Sequence, residues 1–478
     1  MNLDHMLLGQ DLAQKKSDIK RIFFYRICGT GMGACACLAR EAGFEVAGAD
    51  MTYSPPMSTY LESQNIDLYK LDEVTQEMLA EYDLIIVGNS VPRLSDYARF
   101  IENSGVPFTS FPAFMGEFLL KDREVVGIAG THGKTTTTYF ISQILESLGE
   151  DVGYFIGGII DGRAPSHLGQ SKYFVIESDE YDSAYFQKIS KFRLYELTHM
   201  ILTSLEYDHA DIFDSIEDIK NEFSAILPDL TGHIIANDAY PAIAELKNDF
   251  NSKDWTLYGE KSKVGPLNIK VADGQTHFQL NWKNEDVDFT TNVIGTHNIL
   301  NISSCLIFLL HEGYSINSLQ EAVKNLGMVK RRQEYRGKYK EAIVIDDFAH
   351  HPKAITLTIS AIRAKYPERK IVTIFEPISA TARSSIFQNE FTSSLALSDE
   401  VVLAMNPLQT TVKSGQNLDG DKIKKELSSQ NIPTYKAQDL GELMQIINES
   451  AAPDKLLLVL SNRTCLGLWE SKFVQDLA

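Results

Sequence analysis

A glycine-rich segment that ends in Gly133-Lys134-Thr135 carries the strongest chemical pattern in the sequence. It follows the apolar run Val125–Ala129 and precedes apolar residues at helical spacing, which predicts a turn between a strand and a helix. In such a turn, backbone N–H groups and a helix N-terminus can surround a polyphosphate. We expect Lys134 to contact the β- and γ-phosphates and Thr135 to hold Mg²⁺, although Ile128 replaces the usual first glycine.

Two further apolar runs end in residues that bind metals. Tyr173–Glu177 is a predicted strand whose last residue is a carboxylate, and Met200–Leu202 leads to Asp208 and His209. The carboxyl ends of parallel strands share one edge of a sheet, so Glu177 is expected near the Mg²⁺ of the glycine-rich loop. The His209 imidazole is a candidate ligand for a second ion, and a structural histidine is the alternative.

A second glycine-rich turn, Gly29-Thr-Gly-Met-Gly-Ala34, follows the first predicted strand. With Asp50 at the end of the next strand, it fits the pattern of a diphosphate held on a helix N-terminus. The pattern does not choose between NAD, FAD and another nucleotide, and close packing of a strand on a helix also explains it.

Three polar motifs complete the candidates, and each has a structural alternative. The first motif starts a predicted helix, where its side chains would contact the edge of a nucleotide base or cap the helix. The second lies at a predicted domain joint, where it would bind a terminal phosphate or form part of a solvated linker. The third would contact ribose or substrate, or would cap a helix. In chain order they are His297, Asn298 and Asn301; Lys330, Arg331 and Arg332; Asp346, Asp347, His350 and His351.

Composition excludes several classes of function. The 478 residues include 45 basic and 64 acidic side chains, and the net charge of −19 argues against sequence-independent binding to nucleic acid or anionic lipid. Five cysteines form no C-x-x-C pair, which indicates neither a disulfide framework nor a zinc cage. No secretory signal and no apolar run of about 20 residues is present, so a cytoplasmic, soluble protein is expected.

Three blocks alternate short apolar runs with helix-period segments, which predicts parallel sheets covered by helices and an α/β fold. They start near Arg21, Arg123 and Lys330. Their predicted strands are Arg21–Ile27, Phe44–Asp50, Asp83–Ser90, Val125–Ala129, Tyr173–Glu180, Met200–His209, Ala342–Pro352, Lys370–Pro377, Glu400–Pro407 and Leu456–Asn462, and a helix is predicted around Asn298–Leu310.

The strings AGTHGKTTTT, ESDEYD, LEYDHADIF, GTHNILN, KRRQE and DDFAHHP, in this order, resemble the Mur ligases of peptidoglycan synthesis. The resemblance extends from about Arg21 over nearly all of the chain. It implies a Rossmann-like UDP-sugar domain over residues 1–121, a central P-loop ATPase domain over 122–329 and a Rossmann-like peptide-binding domain over 330–478. No obligate protein partner is expected.

The resemblance also implies a reaction and its substrates. ATP would phosphorylate the lactyl carboxylate of UDP-N-acetylmuramate, and an amine would then displace phosphate. The longer strings are most similar to members that add the murein peptide L-alanyl-γ-D-glutamyl-meso-diaminopimelate, and addition of L-alanine is the alternative. An oxidoreductase built on Gly29–Ala34 or a non-catalytic nucleotide-binding regulator are more distant alternatives.

The resemblance assigns roles to individual residues. The catalytic residues would be Lys134, Glu177 and His209, with Thr135 and Glu177 on one Mg²⁺ and His209 on a second. ATP would contact Gly130, Thr131, His132, Gly133, Lys134, Thr135, Thr136, His297, Asn298, Asn301, Arg331, Arg332, Asp346, Asp347 and His350. The UDP-sugar would contact Gly29, Thr30, Gly31, Met32, Gly33, Asp50 and Ser90, and the peptide His351, Ser379, Arg383 and Asn462.

The chain departs from the family pattern at three places. Ile378 and Ala380 replace polar residues in an EPRSNTMR-like string, and Ser461–Gly467 replaces a glycine-rich loop. Ser204 stands where the family tends to have Asn. The first two departures lie in the domain expected to bind the amine substrate, so the nucleotide chemistry is expected to be intact while the peptide and L-alanine both stay open.

Overall fold

Three mainly parallel sheets follow one another along the chain in a computed structural model, which describes residues 2–53, 57–157, 163–208, 212–407 and 416–478. The sheets have five, seven and six strands, and helices cover their faces. The predicted α/β fold with three domains is confirmed. Among the described residues, no helix has both the length and the apolar character that crossing a bilayer requires.

The first domain has the strand order β3-β2-β1-β4-β5, with every neighbouring pair parallel. Its strands are β1 (Arg21–Tyr25), β2 (Glu45–Asp50), β3 (Asp67–Lys70), β4 (Leu84–Val87) and β5 (Phe108–Ser110). Its helices are α1 (Gly9–Lys15), α2 (Thr30–Glu41), α3 (Met57–Ser63), α4 (Gln76–Leu79), α5 (Asp96–Glu102) and α6 (Phe111–Phe114).

The central domain contains the seven-stranded sheet β14-β13-β12-β6-β9-β7-β8, an antiparallel sheet β15-β16-β17 and the hairpin β10-β11. Its strands are β6 (Glu124–Ala129), β7 (Gly153–Phe155), β8 (Ser166–His167), β9 (Tyr173–Ser178), β10 (Asp182–Ala184), β11 (Gln187–Ser190), β12 (His199–Leu202), β13 (Ile234–Asn237), β14 (Trp255–Tyr258), β15 (Leu267–Ala272), β16 (Gln275–Trp282) and β17 (Glu285–Thr291). Its helices are α7 (Lys134–Ser147), α8 (Ile216–Ile226), α9 (Pro241–Asp249), α10 (Thr296–His311) and α11 (Ile316–Ala322).

The last domain has the strand order β18-β19-β23-β20-β21-β22, in which only β18 is antiparallel to its neighbour. Its strands are β18 (Glu334–Tyr339), β19 (Ala342–Asp347), β20 (Lys370–Glu376), β21 (Glu400–Ala404), β22 (Thr434–Ala437) and β23 (Lys455–Ser461). Its helices are α12 (Pro352–Lys365), α13 (Ala380–Arg383), α14 (Gln388–Leu395), α15 (Gly420–Ser429) and α16 (Leu440–Ser450).

The glycine-rich loop between β6 and α7 is anchored in the core of the central domain. Val126 and Ile128 on β6, and Ile141 and Ile144 on α7, are fully buried in one apolar cluster that also includes residues of α10. Because the apolar residues of α7 recur at i, i+3 and i+4, the helix buries one face and points its N-terminus at the loop. The loop is therefore supported on both sides by rigid elements.

The parallel register brings three strand ends to one edge of the central sheet. Ala129 at the end of β6 lies beside Ser178 of β9 and Leu202 of β12. The segments that follow these strands therefore begin side by side, as the sequence predicts. The strand predicted over Met200–His209 is shorter than expected, because β12 ends at Leu202 and residues 203–208 form a loop along this edge.

Candidate active site

The loop between β6 and α7 has the backbone conformation of a phosphate cradle. Gly130 and Gly133 have φ angles of +121° and +86°, which disfavour any residue with a side chain. A β-carbon at position 130 would lie 2.5 Å from the Ser204 carbonyl oxygen, and one at position 133 would lie 2.8 Å from Asn301 Oδ1. Both glycines are thus required by conformation and by close neighbours.

Lys134 begins α7 and its ammonium group is buried at the mouth of the loop. Nζ donates to the Gly130 carbonyl oxygen at 2.8 Å and to Glu180 Oε2 at 3.0 Å, and lies 3.6 Å from Asp179 Oδ1. Burial alone would lower the pKa of Lys134, but Glu180, Asp179 and Glu177 together raise it above its usual value. A fixed positive charge therefore faces the position expected for the phosphates.

Thr135 and Glu177 form a pair of oxygen donors next to Lys134. The Thr135 hydroxyl lies 2.9 and 3.0 Å from the two Glu177 carboxylate oxygens, and the Gly157 N–H donates to Glu177 Oε2 at 2.8 Å. Desolvation raises the pKa of Glu177 despite the opposing effect of Lys134. Hydroxyl and carboxylate oxygens suit Mg²⁺, so these two residues fit the predicted role. The other predicted ligand, His209, lies outside the described residues.

The loop after β12 forms one wall of the cradle. The His132 N–H donates to Ser204 Oγ at 2.7 Å, and the Glu206 N–H donates to Thr131 Oγ1 at 2.9 Å. Thr203 Oγ1 donates to the His132 carbonyl oxygen. These bonds fix Thr131 and His132, the two residues between the glycines of the loop.

The start of α10 lies beside Gly133, the second glycine of the cradle. Asn301 is buried beside Gly133, and Asn298 Nδ2 donates to the Ile294 carbonyl oxygen at 3.0 Å. His297 Nε2 lies 3.1 Å from Gln333 Nε2, and burial with the nearby charge of Arg332 lowers the pKa of His297 to about 4. A neutral imidazole and two amides therefore lie at the start of α10, and their contact with a base stays a prediction.

The structure separates the roles of the two neighbouring arginines. Arg331 Nε donates to Asp346 Oδ2 at 3.2 Å, and its NH2 group donates to the Ser461 and Arg463 carbonyl oxygens. Arg331 is thus fixed within the last domain. Both guanidinium groups lie over the Phe348 ring, Arg331 at 5.5 Å and Arg332 at 4.8 Å, but Arg332 is also subject to the charges of Asp347 and of Glu177 in the central domain.

Asp346 and Asp347 end β19 and are both buried. Asp347 accepts hydrogen bonds from the Gln333 and Ala349 N–H groups, each at 2.8 Å, so it joins the linker before β18 to the turn before α12. Desolvation raises the pKa of both carboxyls, with Asp346 reaching about 7 in spite of Arg331. Asp346 is bonded to its own domain, whereas Asp347 organises the turn that carries His350.

The last domain contacts the cradle through the start of α12. Lys353 Nζ donates to Glu206 Oε1 at 3.0 Å, and the His132 and His351 rings lie 4.7 Å apart between centroids. Thr381 Oγ1 donates to Asp208 Oδ1 at 2.7 Å. Desolvation lowers the pKa of His350 to about 4 and that of His351 to about 3, so both imidazoles are neutral at pH 7. Side chains of two domains thus enclose the position next to the expected terminal phosphate.

Comparisons with known proteins agree with this geometry. Three family models match in succession: Mur ligase family, catalytic domain, over residues 21–123; Mur ligase middle domain, over 128–309; and Mur ligase, glutamate ligase domain, over 331–463. A ligase named UDP-N-acetylmuramate–L-alanyl-γ-D-glutamyl-meso-2,6-diaminoheptandioate ligase from Escherichia coli (strain K12) is 34% identical over 92% of this chain and 95% of its own length.

This chain belongs to the Mur ligase family. The enzyme of the same name from Haemophilus influenzae is 32% identical over 94% of this chain and 98% of its own length. Among solved structures, a murein peptide ligase from Psychrobacter arcticus 273-4 superposes with a TM-score of 0.68 at 29% identity and covers 96% of this chain and 98% of its own. The resemblance stated from the sequence motifs is confirmed.

The predicted UDP-sugar residues of this Mur ligase lie at the carboxyl edge of the first sheet. Gly29 precedes α2, and a side chain at Gly33 would overlap Met57 Sδ. Asp50 is buried and accepts from the Cys28 N–H at 2.9 Å and the Met51 N–H at 2.7 Å. Asp50 therefore fixes the glycine-rich turn, while Ser90 is exposed after β4. The assignment of Gly29, Thr30, Gly31, Met32, Gly33, Asp50 and Ser90 to a UDP-sugar stays a prediction.

One of the predicted peptide residues, Arg383, lines a cavity of the last domain. Ser379 caps α13 by accepting from the Ala382 N–H at 3.1 Å, and Arg383 at the end of α13 lines a cavity of about 210 Å³. The other lining residues are Pro377, Met405, Asn406, Pro407, Asn417, Leu418, Lys436 and Gln438. Asn462 is half-buried after β23, and no described residue bonds to its Oδ1 atom.

The loop that replaces the glycine-rich loop of the family is held by a buried carboxylate. Glu376 at the end of β20 accepts from Ser461 Oγ at 2.5 Å and from the Cys465 and Leu466 N–H groups at 3.0 and 2.8 Å. Cys465, Leu466 and Gly467 all have φ between +52° and +85°. The loop therefore keeps a left-handed backbone with a single glycine, because Glu376 binds its N–H groups.

Sequence reasoning missed several residues of this site, among them Glu180, Glu206 and Lys353. Glu180 was visible as the acid that follows the predicted metal ligand by three positions, and Glu206 directly precedes the Tyr207-Asp208-His209 string. Lys353 gave no such signal, since a lysine in the first turn of a helix is usually exposed. Only the packing of the last domain on the central domain gives it a partner.

Proposed function

We propose that this protein is an ATP-dependent ligase that joins the lactyl carboxylate of UDP-N-acetylmuramate to the amine of L-alanyl-γ-D-glutamyl-meso-diaminopimelate. The proposal rests on the contacts between the phosphate-cradle side of the central domain and the start of α12 in the last domain. Lys353 bonds to Glu206, and His351 lies against His132 of the loop that contains Lys134. The relatives named above support this choice of substrates. The five free cysteines support a reducing, cytoplasmic location.

ATP would lie in the cradle between β6 and α7. Gly130–Thr136 supply N–H groups at a helix N-terminus, and Lys134 supplies a buried positive charge. His297, Asn298 and Asn301 line the side where a base would rest. Arg332 is subject to the charge of Glu177 at the metal position, and its guanidinium would bind the terminal phosphate there.

Mg²⁺ fits the paired oxygens of Thr135 and Glu177, with His209 as the proposed ligand of a second ion. When bound, the ions offset negative charge on the phosphoryl oxygens and help two anions to approach. Lys134 performs the same task from the protein side. Its ammonium is held in place by Glu180 and Asp179, so little reorganisation is needed when charge develops.

The reaction requires activation of a carboxylate, because its oxygen is a poor leaving group at neutral pH. An oxygen of the lactyl carboxylate attacks the γ-phosphorus, the bond to the β-phosphate breaks, and ADP leaves. The neutral amine then attacks the carbonyl carbon of the acyl phosphate, inorganic phosphate leaves, and the amine loses a proton. The Lys353–Glu206 and Thr381–Asp208 contacts close the joint around this intermediate and exclude water that would hydrolyse it.

The cavity at α13 supports a peptide as the amine substrate. Arg383 brings a positive charge to it, Lys436 adds a second that is paired with Asp421 at 2.8 Å, and Asn406, Asn417 and Gln438 add amide groups. The proposed tripeptide carries several carboxylates beyond the reacting amine, and these charges are complementary to such a lining. L-alanine, the alternative substrate, has one carboxylate.

The test uses the full-length protein with ATP, Mg²⁺ and UDP-N-acetylmuramate, to which either the tripeptide or L-alanine is added. Mass spectrometry of the UDP-linked product is expected to show the tripeptide adduct, and Lys134→Ala is expected to abolish it while UDP-sugar binding stays nearly unchanged. An adduct formed with L-alanine alone would replace the proposed substrate. ATP hydrolysis that stays at background with both amines would refute the ligase.

A further inference from the structure

Four polar atoms converge without partners at the joint between the central and last domains. They are His132 Nε2, Glu206 Oε2, and both ring nitrogens of His351, and each is buried with no hydrogen bond to any described residue. His351 is only 6% exposed. Since buried polar atoms are nearly always satisfied, such a group of unpartnered polar atoms indicates a missing binding partner.

The three side chains come from three separate segments. His132 lies in the phosphate cradle, Glu206 follows β12, and His351 precedes the first residue of α12. One nitrogen or oxygen atom from each residue lies within 4.8 Å of the others, and His132 Nε2 is 3.6 Å from Glu206 Oε2. Metal ligands at bond lengths of about 2.0–2.2 Å in a tetrahedral arrangement lie about 3.4 Å apart. The His132–Glu206 separation already matches this value.

The protonation of the cluster also suits a cation. Burial alone would raise the pKa of Glu206, but the nearby His132 and the hydrogen bond from Lys353 lower it to about 2. Desolvation and the nearby His132 lower the pKa of His351 to about 3. At neutral pH the cluster therefore presents an ionised carboxylate and an imidazole with a free lone pair.

We propose that His132, Glu206 and His351 bind a divalent transition-metal ion of the Zn²⁺ class. Two imidazoles and one carboxylate are a ligand set for zinc, cobalt or nickel rather than for Mg²⁺, which prefers oxygen ligands. The site is separate from the pair of oxygens at Thr135 and Glu177, and it makes no use of ATP.

The position of the site predicts what the ion does. His132 and Glu206 belong to the central domain and His351 to the last domain, so a bound ion ties the phosphate cradle to the start of α12. Lys353 occupies Glu206 Oε1 and leaves Oε2 for the metal, and the charge of Asp208 acts on His351. The ion therefore holds the joint closed.

Co²⁺ is a suitable probe because its visible absorption reports nitrogen coordination at low coordination number. The full-length protein is titrated with Co²⁺ in the presence of millimolar Mg²⁺ and in the absence of nucleotide. One Co²⁺ per chain is expected, with visible bands that Zn²⁺ abolishes by displacement. A wild-type protein that gives no such bands would overturn the proposal.

His351→Gln and His132→Gln are each expected to weaken Co²⁺ binding by at least about 10–100-fold. Loss of a residue that only supports a metal ligand already costs this much, and loss of a ligand itself should cost no less. His132 is less buried than His351, so its variant decides the question if His351→Gln does not fold. His277→Gln, in the exposed sheet β15-β16-β17, is the control and should bind as wild type does. Wild-type affinity in either cluster variant, or an equal loss in the control, contradicts the site. Because no substrate is used, this outcome is independent of the proposed ligase activity.

Discussion

Lys353 in the first turn of α12 donates a hydrogen bond to Glu206 in the loop after β12, with Nζ 3.0 Å from Oε1. The ammonium also lies 4.0 Å from the centroid of the Tyr240 ring. The pair joins the last domain to the wall of the phosphate cradle. Its two members are 147 positions apart in the chain, so only the packing of the domains creates it.

Lys353→Met should therefore weaken closure of the joint and leave the cradle intact. Ion pairs that are partly exposed contribute about 0.2–1 kcal/mol, so kcat/KM should fall by up to about fivefold while ATP affinity changes little. Steady-state kinetics of the single and double variants of Lys353→Met and Glu206→Gln measure the coupling. Effects that simply add in the double variant would show that the two side chains do not act together.

The Glu206 contact should also have a defined pH dependence. Its folded pKa of about 2 lies below the value of about 4.3 for an unperturbed glutamate, so the native state binds fewer protons than the unfolded state between these values. The stabilisation is complete above about pH 4.3 and is lost as the pH falls toward 2. The melting temperature of the wild type should exceed that of Glu206→Gln near neutral pH, and the difference should shrink on acidification. A difference that is constant down to about pH 3 would contradict this.

Gly133→Ala should impair nucleotide binding specifically. Its φ of +86° makes any side chain unfavourable by about 1–2 kcal/mol, and the new methyl group would also displace Asn301. Gly149→Ala is the matched control, since Gly149 has a φ of +89° with no heavy atom within 4 Å of the added carbon. Both variants should melt at lower temperature, but only Gly133→Ala should bind ATP at least about tenfold more weakly by calorimetry. If Gly133→Ala and Gly149→Ala bound ATP with equal affinity, the loop between β6 and α7 would not be the nucleotide-binding cradle.

The two arginines before β18 should respond differently to the same substitution. Arg332→Met is expected to reduce kcat by about 10³-fold, the lower end of what an arginine at a transferring phosphoryl group contributes. Arg331→Met should chiefly lower stability, by about 1.5–3 kcal/mol for each charged hydrogen bond it loses within the last domain. Single-turnover kinetics and thermal melts separate the two outcomes. If Arg331→Met caused the larger loss of kcat, Arg331 and not Arg332 would be the arginine that binds the terminal phosphate.

The sequence predicted the parts of the site that depend on local pattern. The strand, glycine turn and helix around Lys134 follow from apolar periodicity and from glycine at positions of positive φ. The proximity of Glu177 to Thr135 follows from the shared edge of a parallel sheet. Both are properties of single elements and their neighbours.

The features that the sequence did not predict arise from packing between distant segments or from weak patterns. Arg331 and Arg332 could not be told apart, because two adjacent arginines in a predicted linker carry the same pattern, and only the structure shows that Arg331 bonds to Asp346 while Arg332 is subject to the charge of Glu177. The antiparallel sheet β15-β16-β17 was missed although Asp273-Gly274 is a hairpin signal, since strands with one exposed face resemble loops in composition. The Lys353–Glu206 pair required the arrangement of whole domains.

The central claim, that ATP activates the sugar-borne carboxylate, is tested most directly by an oxygen isotope. UDP-N-acetylmuramate labelled with oxygen-18 in its lactyl carboxylate is incubated with the enzyme, ATP, Mg²⁺ and the tripeptide, and the inorganic phosphate is analysed by mass spectrometry. Transfer of one labelled oxygen to phosphate in each turnover is the predicted result. Phosphate that is released together with the amide product but carries no label would contradict the mechanism.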